Sequence, residues 1–201
     1  CYDLAARTEA DELLLEGYTL LGVSYFFLGQ FEVALSNLSK ALAIYDFQRH
    51  FPQTYRYGQD QGVHAGLYAA HTLWQLGLPD QAYEQMQKTL ELADRTQHLH
   101  TIAFAQSFAA LMYTFANDVP RTLEHSAIAK AISEQYGFPQ YLALGTGLHG
   151  VALGRTGVFE EGGAELERAK ALAQEVSIVA LLPYMFGLNA EFLQRLDQLE
   201  V

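Results

Sequence analysis

Residues 55–66, YRYGQDQGVHAG, bring three glycines, an aspartate and a histidine together just before an apolar stretch. Two chemistries suit such a set. A glycine-rich turn opening a helix can cradle a phosphate on its backbone amides, and Asp60 with His64 can supply two ligands to a metal ion. Neither is complete. No Lys or Ser/Thr follows Gly62 at the spacing a phosphate loop needs, no GxxxxGK[ST] run occurs in the chain, and one acid with one histidine makes half a metal site at best.

The remaining histidines and carboxylates give no catalytic constellation. His64 and His71 fall on one face of a helix but two turns apart, about 10 Å by helix rise, too far to share an ion. His98 and His100 flank Leu99 without a third ligand, so they read as surface or partly packed imidazoles. Glu160, Glu161, Glu165 and Glu167 lie beside Arg168 and Lys170, the pattern of a solvated helix face with local ion pairs. No HExxH, GxSxG or Cys/His arrangement occurs. The chain reads as non-enzymatic, and no cofactor or metal is implied.

Composition narrows the partners. A net charge of −11 over 201 residues argues against a nucleic-acid backbone and against an anionic membrane surface, both of which need clustered Lys and Arg. Thr96–Asn117 and Gln135–Gly154 carry no charged residue, but the first holds two His, two Gln and an Asn and the second Pro139 and five glycines, unlike a membrane span. No signal peptide is visible, and the lone Cys1 excludes an internal disulfide, which fits a cytoplasmic location.

The elements that position these residues emerge as a repeat. In residues 20–42 small residues stand at Gly22, Gly29, Ala34 and Ala41, with aromatics at Tyr25 and Phe31. A step of 48 residues brings Ala70, Leu73, Gly77, Pro79, Ala82 and Thr89 into the same columns. Steps of 40 then bring Ala110, Tyr113, Asn117, Val119, Thr122 and Ala129, followed by Gly150, Leu153, Gly157, Phe159, Gly162 and Ala169. A last step of 40 reaches Ala190 and Leu193. Each unit reads as an apolar helix, a turn at Gly29, Gly77, Asn117 or Gly157, and an amphipathic second helix. Asp118-Val-Pro120 is an atypical start for a second helix.

The small–aromatic–Gly–aromatic–Ala–Ala spacing resembles the tetratricopeptide repeat, although the period near 40 exceeds the usual 34. The resemblance implies an all-α fold, a right-handed superhelix of antiparallel helix pairs with about four and a half repeats. Its units would be about 15–48, 63–96, 101–136 and 140–176, with a partial one at 180–201 and a long inserted loop at 49–62. In that loop Pro52 stands near the start and Gly58 and Gly62 serve as turn residues. The segments YGQDQGVHAGLYAAHTLWQLGLPDQA, FAQSFAALMYTFAND and GFPQYLALGTGLHGVALGRTGVFEEG further resemble the C-terminal repeat region of bacterial signalling proteins that join a cyclase-like domain or a LuxR-type regulator to a predicted ATPase. Residues 1–14 resemble the tail of a preceding unit and neither end a polar cap, so the chain reads as a piece of a longer one.

In a tetratricopeptide-like superhelix the first helices line the concave face. That register places Thr19, Val23, Phe26 and Phe27 on it from the first unit, and His64, Leu67, His71, Trp74 and Gln75 from the second. The third unit adds Phe104, Ser107, Leu111 and Thr114, and the fourth Leu144, Gly147, Val151 and Arg155. Such a groove suits an apolar peptide or another domain of the same polypeptide, unless the rings simply pack on one another. Two further readings are a small-molecule effector that closes the groove and regulates a linked ATPase or cyclase, and self-association through uncapped ends.

Overall fold

A computed structural model describes residues 11–175 together with Gly187 and Ala190. The expected tail at 1–14 and the partial unit at 180–201 therefore lie largely outside the described residues. The chain divides into two compact units, Cys1–Ala105 and Gln106–Val201.

In the first unit α1 (Asp11–Phe27) and α2 (Phe31–Ile44) form one antiparallel pair. A short segment follows: α3 (Phe47–His50), a 3-10 turn at Phe51–Gln53 and α4 (Thr54–Tyr57). The next pair is α5 (Gln61–Gln75) and α6 (Pro79–Thr96), with α5 packed against both α1 and α2. Then comes α7 (Leu99–Phe115), within which the division between the units falls. In the second unit α8 (Val119–Tyr136) packs on α9 (Pro139–Arg155), and α9 on α10 (Phe159–Glu175). Among the described residues there is no strand, and no helix is long and apolar enough to cross a membrane.

The helix–helix turns obey the expected chemistry. Gly29, Gly77, Asn117 and Gly157 all take positive φ, at 72°, 75°, 54° and 90°. Each closes a first helix in the left-handed region, where glycine carries no Cβ penalty and asparagine a small one. Within the pairs, small residues set the spacing. A Cβ on Gly22 would meet Leu38 Cγ at 2.5 Å, and one on Gly150 would meet the Gly162 carbonyl oxygen at 2.7 Å.

Of the first helices, α5, α7 and most of α9 are uncharged and largely interior, whereas α1 carries Asp11, Glu12 and Glu16 and is only partly covered. Every residue of α5 except His64, Trp74 and Gln75 is buried. In the first unit Leu15, Leu38, Val63, Leu67 and Met86 are fully enclosed. In the second Ala110, Leu144, Leu148, Val151 and Leu166 form the core, with Leu111 and Phe159 packed against it.

Three sequence expectations are corrected here. The stretch 49–62 is not an open loop, since α3, the 3-10 turn and α4 run through most of it. Gly58 is a turn residue at φ 79°, but Gly62 lies inside α5, and a Cβ there would meet the Tyr45 ring at 2.6 Å. That glycine is set by close packing, not by a turn. The start of α8 is also well formed. The Asp118 side chain caps it by accepting from the Arg121 amide at 3.2 Å, and Pro120 occupies the first turn, where its missing N–H costs nothing.

Candidate functional site

The first helices of the first unit carry a row of rings. Phe27, at the end of α1, lies 5.6 Å from Phe26 between ring centroids and 5.9 Å from Tyr68 of α5. Phe26 is itself 5.4 Å from Tyr68. Tyr68 is 5.4 Å from His64, one helical turn earlier, and His64 is 5.6 Å from Phe104 of α7. Most of these contacts are edge-to-face, the arrangement that ring quadrupoles favour.

Burial grades along the row. Phe104 is 5% exposed, Tyr68 8% and Phe27 67%. Desolvation pushes the Tyr68 phenol up to about 12 and the His64 imidazole down to about 4, so both are neutral at physiological pH. Gln59 Nε2 donates to His64 Nδ1 at 2.8 Å, which leaves the ring proton on Nε2. The row is thus an uncharged surface of mixed depth, deep at Phe104 and open to solvent at Phe27 and the neighbouring Leu28.

The other residues expected on this face divide. Trp74 is partly exposed and packs edge-on against Tyr83 at 5.9 Å, and Gln75 is exposed. His71 and Ser107 are buried, at 2% and 0% exposure, and cannot meet a partner in this conformation. The helix register that put them on the concave face ignored that α5 and α7 are enclosed on most sides. Arg155 is engaged as well. Its guanidinium donates at 2.8 Å to the Thr114 carbonyl, one of the last carbonyls of α7, where a cation complements the helix dipole. It ties α9 to the end of α7 and is no free groove cation.

Asp60 answers the chemistry first suggested for residues 55–66. It is fully buried and caps α5 by accepting from the Val63 amide at 2.9 Å. Its other oxygen accepts from the Tyr45 phenol at 2.8 Å and the Thr54 hydroxyl at 3.4 Å. The Asp60 amide donates to Thr101 Oγ1 at 3.2 Å, and His98 Nδ1 lies 2.9 Å from the same hydroxyl. Burial raises the Asp60 carboxyl above its usual range, opposed by these hydrogen bonds, and burial with the adjacent carboxylate raises the Tyr45 phenol. His64 points to the aromatic row instead, so the two residues do not form a ligand pair. Among the described residues no three His, Cys, Asp or Glu side chains gather in a metal-holding group.

Tyr68 and the Asp60 hub escaped the sequence reading. Tyr68 stands four residues after His64, a spacing that shares a helix face, and an Asp three residues before the first apolar position of a helix is a capping signature. Both signals were present. The partnership of Asp60 with Tyr45, fifteen residues earlier in the chain, had no local signal.

The second helices differ from a plain solvated face. Lys170 pairs with Glu167 at 2.9 Å within α10, as expected. Glu165 and Arg168 instead reach across to α8, to Lys130 at 2.6 Å and Glu134 at 2.7 Å.

These features define a helical-repeat protein of tetratricopeptide-like fold. Comparison with solved structures agrees: the crystal structure of the apo form of RapI, a TPR-like helical repeat protein, superposes with a TM-score of 0.69 over 87% of this chain at 16% identity. The match spans 61% of the RapI chain. No family model matches the sequence, and a search of curated proteins finds no relative.

Proposed function

We propose that this chain is a non-catalytic interaction module that binds a protein or peptide segment on the aromatic row Phe27–Phe26–Tyr68–His64–Phe104. The observation that carries this is the exposure of Phe27 at the end of an uncharged row of packed rings. Burying one such ring is worth about 1.5–3 kcal/mol, and a rigid aromatic on a preorganised support loses little entropy when it is covered. The helical-repeat fold suits a binding role. Following the sequence resemblance, the module would sit in the cytoplasm within a larger bacterial signalling protein, linked to a predicted ATPase or a cyclase-like domain.

The test is a photo-crosslinking amino acid placed at Phe27 and, as control, at exposed Ser36 of α2. A discrete adduct with one peptide segment from Phe27 and none from Ser36 is expected. With that peptide in hand, Phe27→Ala should weaken binding about tenfold or more, corresponding to about 1.4 kcal/mol. Equal labelling from both positions, or affinity indifferent to Phe27, sinks the assignment.

A further inference from the structure

We propose that residues 46–60 form a strap latched by the Asp60 side chain, and that releasing the strap loosens the aromatic row through Gln59 and His64.

The first argument is what the strap buries. Its buried side chains are His50, Thr54 and Asp60, all polar, while Arg49, Pro52, Tyr55, Arg56 and Gly58 are exposed. No aliphatic or aromatic side chain described in 46–60 is fully enclosed. A segment docked by apolar burial would share the stability of the core, but one docked by hydrogen bonds of about 0.5–1.5 kcal/mol each opens well below the global unfolding free energy.

The second argument is where those bonds converge. Asp60 accepts from Tyr45 at one end of the strap, from Thr54 in its middle and from Val63 in α5. The His100 side chain hydrogen-bonds the Gly58 backbone, Tyr55 meets His98 edge-on at 5.6 Å, and the Arg95 guanidinium lies over the Phe47 ring at 4.0 Å. The far end turns at Gly58 with φ 79°, a residue able to absorb a large backbone change. One carboxylate therefore holds both ends of the segment, whose other interior ties are the Asp60 amide on Thr101 and His50 against the Tyr45 ring.

The third argument is the link to the row. Gln59 precedes the latch and donates to His64 Nδ1 at 2.8 Å. Asp60 also caps the helix that carries His64 and Tyr68. Opening the strap withdraws the Gln59 amide and exposes one edge of His64 to water. The row and the strap are then one coupled element, which regulates the binding face if the proposed function holds. The tests below need no partner, so they fail or succeed independently of that reading.

The experiment is residue-resolved amide hydrogen exchange with NMR titration of His64, on the whole chain. In the parent protein, amides 47–58 should exchange at least tenfold faster than those of α2 and α5. Asp60→Asn keeps an oxygen for the helix cap but cannot accept at both positions. It should speed exchange across 47–58 a further tenfold, leave α8–α10 unchanged, and move the His64 pKa from about 4 toward the ordinary histidine value. Tyr45→Phe, which removes a single hydroxyl, should shift both readouts in the same direction and more weakly. Exchange of 47–58 at the rate of α5 in the parent protein overturns the latch. Faster strap exchange with an unmoved His64 in both variants overturns the coupling.

Discussion

Lys130 of α8 and Glu165 of α10 meet at 2.6 Å with only 16% and 18% of their side chains exposed, thirty-five residues apart in the chain. Each sits on a second helix, and α9 packs against both helices. A pair this enclosed depends on both partners, because removing one leaves a desolvated charge. Lys130→Met should therefore destabilise the protein by about 2–4 kcal/mol. Adding Glu165→Met should restore much of the loss. Urea denaturation of the single and double variants checks this, and a double variant no better than the single would refute it.

Gly22 and Leu38 offer a packing test. Replacing Gly22 with Ala drives a Cβ into the Leu38 side chain, which is fully buried. The expected cost is about 1–3 kcal/mol from overpacking. In a double-mutant cycle with Leu38→Ala the two losses should be less than additive, since the cavity left by Leu38 accommodates the new methyl.

His64 gives a pH prediction. Its folded pKa of about 4 lies below the ordinary 6.5, so the unfolded chain binds the proton more readily. Stability present above pH 6.5 is therefore lost as pH falls toward 4, by about 3 kcal/mol from this group. Burial lowers His98, His100 and His149 in the same direction, while the raised Asp60 acts in the opposite sense. His64→Gln should flatten the stability curve between pH 6.5 and 4 without abolishing its slope, as thermal melts across that window would show.

Arg155 should behave as a structural residue. Because its guanidinium donates to the Thr114 carbonyl, Arg155→Glu should lower the melting temperature, through lost hydrogen bonding at a helix end of about 1–3 kcal/mol. Reduced partner binding with an unchanged melting temperature would return Arg155 to the binding face.

Capping predicts a smaller effect. Asp118→Ala removes the side chain that accepts from the Arg121 amide and pairs with its guanidinium, both at 3.2 Å. A loss of about 1 kcal/mol is expected, with Asp118→Asn retaining most of it.

By itself the sequence determined the helical-repeat fold. A period of about 40 residues, small residues at fixed columns and glycine or asparagine at each turn record the two facts a helix pair cannot avoid, close approach and a left-handed exit. Composition likewise marked the first helices of the second, third and fourth units as interior, since a helix without charge must be covered. What stayed illegible was every relationship between residues brought together by stacking. Tyr45 with Asp60, Arg155 with Thr114 and Lys130 with Glu165 are separated by fifteen, forty-one and thirty-five positions. A polar side chain on a helix reads the same whether it faces water, its own helix or the next repeat. Only the tertiary structure chooses, because burial and partner geometry depend on how successive helices stack, and the helical period alone does not encode that.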